Sequence, residues 1–264
     1  MIDKHRDTLL QGQNVRNAYG DYRMSLRQKI TITLVLIVVL AVALVPAIQG
    51  IVSSNSHAAV DTPPSVAPEE PTTRQGFDRV LFAGDSISVG RDARSLPESF
   101  REITSRHLKA AGTESITTIA KSGAKLNYIA HSKTLPKDLD LAIIELGTND
   151  AGGKTPTDTF RQEYQKYLKR IRSTSPSVDF VCLGVWYRPE TQIAQNLNTV
   201  IQQTCEALGG TFVPLSDLYS NAKNRGPAGL QTWHVKSDAF HPNATGHLAI
   251  AKRLLQTFSL PTTN

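Results

Sequence analysis

The sequence predicts an α/β domain, a parallel sheet with helices on both faces, preceded by one N-terminal transmembrane helix. Three observations carry this. Short apolar runs that end in turn residues recur between residues 79 and 215. Stretches of helical character, more than ten residues long, fall between most of them. Ahead of them, no charged residue occurs from Ile30 to Val60.

RVLFAG (79–84) is a short apolar run ending in Gly, the pattern of a buried parallel strand. Pro97 to Ala111 reads as a helix carrying Phe100, Ile103 and Leu108, with Gly112 as its stop. SITTIA (115–120) is a second strand, and LDLAIIELG (139–147) a third. Thr157 to Ser173 is a helix entered through Pro156, and VDFVCLGVW (178–186) a fourth strand. Thr191 to Leu208 is a helix stopped by Gly209-Gly210, TFVPL (211–215) a fifth strand, and Ala244 to Phe258 a closing helix. In such sheets ligands bind at the carboxyl ends of the strands, so the residues just after each strand matter most.

Ile30 to Val45 is apolar apart from two Thr, and Pro46 to Val52 extends it. About 20 apolar residues at ~1.5 Å rise span a bilayer core of ~30 Å. Arg23, Arg27 and Lys29 flank its amino end, which places residues 1–29 on the cytoplasmic side and the rest outside. Segment 30–52 is therefore expected to be an anchor. The other reading is a signal peptide cut after Ala58, with Ser56 and Ala58 at the small-residue positions. Both readings export residues 77–264. Residues 53–76 hold four Pro and almost no large apolar side chain, so they are expected to be an extended linker.

Net charge is +6 over 264 residues, but residues 1–29 alone contribute six Lys/Arg against three Asp. The rest of the excess is scattered, with no Lys/Arg cluster interleaved with aromatics, which argues against a nucleic-acid partner. Two cysteines exclude a disulfide-stapled scaffold and any four-cysteine zinc site. Cys182, in the fourth strand, and Cys205, in the helix after it, read equally as a disulfide or as two buried thiols.

Four short blocks lie after strands. Gly84-Asp85-Ser86 follows the first, Ser122-Gly123 the second, Gly147-Thr148-Asn149-Asp150 the third, and Asp238-Ala239-Phe240-His241 closes the long loop after the fifth. These residue types suit ester hydrolysis. A serine hydroxyl needs a base, and an imidazole titrates in the right range. A carboxylate can hold that imidazole in one tautomer, and the oxyanion needs donors already in place. Ser86 is the candidate nucleophile, His241 the base and Asp238 its orienting acid. The backbone N–H groups of Ser86 and Gly123 and the amide of Asn149 are the candidate oxyanion donors.

In these blocks residues 77–258 resemble the SGNH hydrolase superfamily, also called GDSL-type esterases and lipases, in the form of a membrane-anchored bacterial member. The resemblance carries the nucleophile to Ser86, the block glycine to Gly123, the oxyanion asparagine to Asn149, and the acid and base to Asp238 and His241. It implies a flavodoxin-like three-layer α/β/α sandwich with a five-stranded parallel sheet, and an esterase without a cofactor. The G-x-S-x-G elbow of α/β-hydrolases is absent, because position 88 is serine.

Trp186, Tyr187 and Arg188, following the fourth strand, and His234 are candidate substrate contacts. Asp150 is expected to support its loop and His247 to pack within the closing helix. His107 and His131 read as surface residues. Asp238 and His241 could be two metal ligands, but no H-E-x-x-H or paired-carboxylate motif accompanies them, so no metal is expected. The expected substrate is a small-molecule or glycan ester with a short acyl group. The rival readings are an O-acetyltransferase acting on cell-wall or surface polysaccharide, and a non-catalytic glycan-binding module.

Overall fold

The computed structural model describes residues 76–132, 134–258 and 260. The tail 1–29, the apolar segment 30–52 and the linker up to residue 75 lie outside the described residues. Among the described residues, no helix is long and apolar enough to cross a membrane.

The five strands are β1 (Arg79–Gly84), β2 (Ser115–Ala120), β3 (Leu141–Glu145), β4 (Asp179–Leu183) and β5 (Thr211–Val213). They form one sheet in the order β2-β1-β3-β4-β5, and every neighbouring pair is parallel. This is the strand order of flavodoxin-like doubly wound sheets, and its topological switch lies between β1 and β3. Alternation along β1 divides the core. Leu81 and Ala83 join one apolar cluster, with Tyr164, Leu168, Leu197 and Ile201 of the covering helices. Val80 and Phe82 join the other, with Phe100, Leu108, Ile250 and Leu254.

The helices are α1 (Ser86–Val89), α2 (Phe100–Ala110), α3 (Leu126–Ala130), α4 (Thr148–Gly152), α5 (Thr157–Thr174), α6 (Gln192–Glu206), α7 (Ser216–Ser220) and α8 (Ala244–Leu255). The helix expected from Pro97 begins later. Pro97 lies in a 3-10 turn, Leu96–Glu98, and Ser99 caps α2 by accepting from the Glu102 N–H at 3.3 Å. The fourth strand stops at Leu183 rather than Trp186. Gly184 N–H still donates to Val213 O at 2.8 Å, but Trp186 N–H turns to the Thr148 hydroxyl at 3.0 Å. The chain thus leaves the sheet to close over the end of β3. The closing helix ends at Leu255, three residues short of Phe258.

Cys182 of β4 and Cys205 of α6 form a disulfide, which ties the sheet to the helix covering it. The long segment after β5 holds α7, a 3-10 turn (Ala222–Asn224) and the cis Gly226–Pro227 peptide. Two isolated bridges, Arg225 to Pro242 and Gln231 to Lys236, fold it back on itself. This delivers Asp238 and His241 to the strand ends.

Candidate active site

β1 ends at Gly84, and the chain turns directly into α1. A side chain at 84 would collide with that of Ser88, so glycine is needed for the close turn that presents Ser86 at the sheet edge. Asp85 caps the short helix, its Oδ1 accepting from the Ile87 N–H at 3.0 Å. Ser86 is 3 % exposed, and its Oγ lies 2.9 Å from His241 Nε2. On the other side of the ring, His241 Nδ1 lies 2.7 Å from Asp238 Oδ2. Asp238 Oδ1 also accepts from the N–H groups of Phe240 and His241, both at 2.8 Å. The Asp-x-x-His spacing therefore closes a tight turn in which the carboxylate holds the backbone and the ring together.

Burial disfavours the Asp238 anion, but the N–H donors of His241 and Phe240 and the nearby imidazole outweigh it and hold the carboxyl below its ordinary range. Burial pulls His241 below its ordinary value, against the opposing pull of Asp238. The imidazole is therefore neutral at physiological pH, as a base must be.

The oxyanion candidates fall on the same edge. The N–H groups of Ser86 and Gly123 make no hydrogen bond among the described residues. Gly123 has φ +76° and open space where a Cβ would stand, so glycine is required for the backbone rather than for room. The Asn149 amide is already engaged, donating to Asp85 Oδ2 and to Ala124 O, each at 3.0 Å.

The expected substrate contacts divide. Trp186 is fully buried, with its indole N–H on Phe240 O at 2.8 Å. It is a core anchor rather than a substrate contact, because the turn after Leu183 points it back against Tyr219. Tyr187 is half-buried against Phe240, and Arg188 is exposed. His234 is exposed and stacks on Trp233 at 5.0 Å, making no contact with the Ser86–His241–Asp238 chain. Asp150 supports its loop by accepting from Leu126 N–H at 2.8 Å and the Thr155 hydroxyl at 2.9 Å. His247 is buried within α8. Among the described residues, Asp92, Asp238 and His241 each offer a ligand atom within 4.8 Å of the others. His241 Nδ1 and Asp238 Oδ2 pair with each other, and the Arg91 guanidinium stands 3.1 Å from Asp238 Oδ2 and 3.6 Å from Asp92 Oδ1, which opposes a further cation there.

Sequence reasoning missed several neighbours of the site: Glu145, Ser88, Arg91, Asp92 and Trp233. Glu145 carried a signal, as an acid at the carboxyl end of an otherwise apolar, fully buried strand. Ser88 lies in the short α1 and Arg91, Asp92 and Trp233 in turns, and their partners are distant in sequence.

The model of the GDSL-like lipase/acylhydrolase family matches residues 82–249, well over half of the chain. No curated protein matches the sequence. Among solved structures, the psychrotrophic esterase EstA of Pseudoalteromonas sp. is similar at 13 % identity and TM-score 0.53, over 68 % of this chain and 95 % of that one. Phospholipase A1 of Streptomyces albidoflavus NA297 is similar at 17 % identity and TM-score 0.55, over 69 % of this chain and 100 % of that one. The salicylyl-acyltransferase SsfX3 of a tetracycline biosynthetic pathway is similar at 18 % identity and TM-score 0.52, over 69 % of this chain and 54 % of that one. At these identities the likeness is one of fold, and the family rests on the match across its whole catalytic span: the chain belongs to the GDSL-like lipase/acylhydrolase family and is a serine ester hydrolase.

Proposed function

We propose that the chain is a membrane-tethered, extracytoplasmic esterase that removes short acyl groups through an acyl-enzyme on Ser86. One observation carries the chemistry: the unbroken chain Ser86 Oγ to His241 Nε2 at 2.9 Å, then His241 Nδ1 to Asp238 Oδ2 at 2.7 Å. With Nδ1–H donating to the carboxylate, Nε2 presents its lone pair to the serine O–H. Ser86 Oγ bonds the ester carbonyl carbon as its proton passes to Nε2. The oxyanion forms beside the N–H groups of Ser86 and Gly123. Asn149 joins them by giving up its bond to Ala124 O, the weaker of its two because the other acceptor is a carboxyl. Collapse breaks the bond to the alcohol, which leaves with the proton from Nε2. Water then repeats the sequence and frees the acid.

The location rests on the apolar segment 30–52, with its basic amino flank, and on the Cys182–Cys205 disulfide, which suits an oxidising compartment. A carbohydrate ester is supported by a cleft of about 540 Å³ lined by Arg188, Glu190, Tyr219, Arg225 and Phe240. Phe240, which lines this cleft, meets His241 edge-on at 5.3 Å. The cleft's arginines and ring edges suit hydroxyl groups better than a long alkyl chain. The test is hydrolysis of p-nitrophenyl esters from acetate to decanoate. Acetate or butyrate is expected to turn over fastest; a maximum at decanoate contradicts the short-acyl reading.

Transfer to a sugar hydroxyl uses the same acyl-enzyme, and an acyltransferase shares this fold. An acetyl donor supplied with and without a glycan separates the two, since acetyl recovered on the glycan marks transfer and free acetate marks hydrolysis.

A further inference from the structure

The turn after α1 reaches across to the loop that carries the base. Arg91 Nη2 donates to Asp238 Oδ2 at 3.1 Å, on the oxygen that also holds His241 Nδ1. Asp92 Oδ2 accepts from the Asp238 N–H at 2.7 Å. Asp92 is 3 % exposed and has φ +66°, a left-handed backbone that few residues besides glycine, asparagine and aspartate adopt. Here the turn is fixed from three sides. Arg91 N–H donates to Ser86 O at 2.9 Å, Arg91 O faces His247 Nε2 at 2.9 Å, and the Phe100 N–H donates to His247 Nδ1 at 3.3 Å. Arg91 Nε and Asp92 Oδ1, both buried, face each other at 3.6 Å.

We propose that Arg91 and Asp92 are positioning residues, which dock the Asp238–His241 loop against the serine turn and act on the imidazole with opposite charges. The proposal rests on the roles given above to Ser86, His241 and Asp238. The groups that face His241 are Asp238, Arg91, Asp92, His247 and the Ser86 hydroxyl. Of these, Asp238 and Asp92 favour its protonated form, while Arg91 disfavours it. Burial pushes His247 down to about 4, so it stays neutral near pH 7. Arg91 thus draws on the carboxylate that His241 uses and keeps the base free at lower pH. Asp92 pulls the other way while fixing the Asp238 backbone.

The test is the pH dependence of kcat/KM on a short ester, using the full chain and the variants Arg91→Gln, Arg91→Lys and Asp92→Asn. The base must be neutral, so the acid limb follows His241. Arg91→Gln is expected to move that limb to higher pH, with kcat/KM at the acid end falling roughly threefold or more relative to its alkaline plateau. Arg91→Lys keeps the cation and restores the limb. Asp92→Asn moves the limb to lower pH, since Asn tolerates the left-handed backbone and still offers an oxygen to the Asp238 N–H. Thermal melts establish that each variant is folded. If Arg91→Gln and Asp92→Asn lower kcat/KM equally at all pH values, or move the limb in the same direction, the proposal is overturned. If Ser86→Ala retains activity, the triad reading fails first, so the two failures are distinguishable.

Discussion

Beneath the nucleophile lies a pair of buried acids, Asp85 of the Gly84-Asp85-Ser86 block and Glu145 at the end of β3. Glu145 Oε2 accepts from the Ser88 hydroxyl at 2.8 Å, the Ser88 N–H at 3.1 Å and the Asp85 N–H at 3.3 Å. Burial, then the neighbouring Asp85 charge, pushes the Glu145 carboxyl well above its ordinary range, so it holds a proton toward Asp85. Asp85 is left to accept from Asn149 and Ile87, which links the proton to the oxyanion donor. A carboxyl raised on folding stabilises the fold below its unfolded value, and that contribution is lost as pH rises through the folded one. Glu145→Gln keeps the shape and replaces the proton with an amide N–H. Its melting temperature, relative to that of the natural chain, is therefore expected to rise as the pH climbs from the ordinary glutamate range into the alkaline range. A constant difference across that range contradicts the shared proton. At this scale the sequence was readable where a residue type has a fixed chemical task, as for Ser86, His241 and Asp238. It was unreadable where the partner is distant, as for Arg91 and Asp92. Trp186 misled because adjacency to a strand end does not say which way a turn throws the side chain.

Strand and helix identity was legible from periodicity, and boundaries were set by local chemistry that periodicity cannot see. Ser99 capping α2, and Thr148 drawing Trp186 off the sheet, are two such cases. The helices α1, α3, α4 and α7 have four or five residues each, too few for an amphipathic period to show. They form because tertiary contacts hold them, as Glu145 of β3 does for α1 by accepting from the Ser88 N–H and hydroxyl. The sequence left the cysteine pair open, since both a bridge and two buried thiols fit neighbouring elements. The bridge spans 23 residues of chain from β4 to α6. By loop-closure entropy, replacing both cysteines with alanine is expected to cost about 3 kcal/mol, read as a lower denaturation midpoint under non-reducing conditions. An unchanged midpoint would show that the bridge does not form in solution.

Across the whole molecule, the order β2-β1-β3-β4-β5 places the reversal of winding between β1 and β3. Ser86 follows one of these strands and Asn149 the other, so the site falls where a doubly wound sheet opens a crevice. Only the long segment after β5 must travel to reach it, and its path was the least legible part of the fold. Its turns and bridges follow no period, and it is held by single contacts such as Trp233 Nε1 to Gly90 O at 2.9 Å. The uncharged stretch from Ile30 to Val60 is the basis for the proposed tether. If residues 30–52 anchor the chain, the full-length protein stays with membranes through a high-salt wash and leaves them in detergent. A soluble mature chain beginning at Ala59 would instead mark a cleaved signal peptide.

The central claim is that Ser86 forms the acyl-enzyme, and steady-state hydrolysis of p-nitrophenyl acetate by the natural chain and by Ser86→Ala tests it most directly. Ser86→Ala is expected to stay folded while kcat falls by roughly three orders of magnitude or more. Undiminished turnover in folded Ser86→Ala would contradict the account, because no other hydroxyl among the described residues stands 2.9 Å from the His241 imidazole.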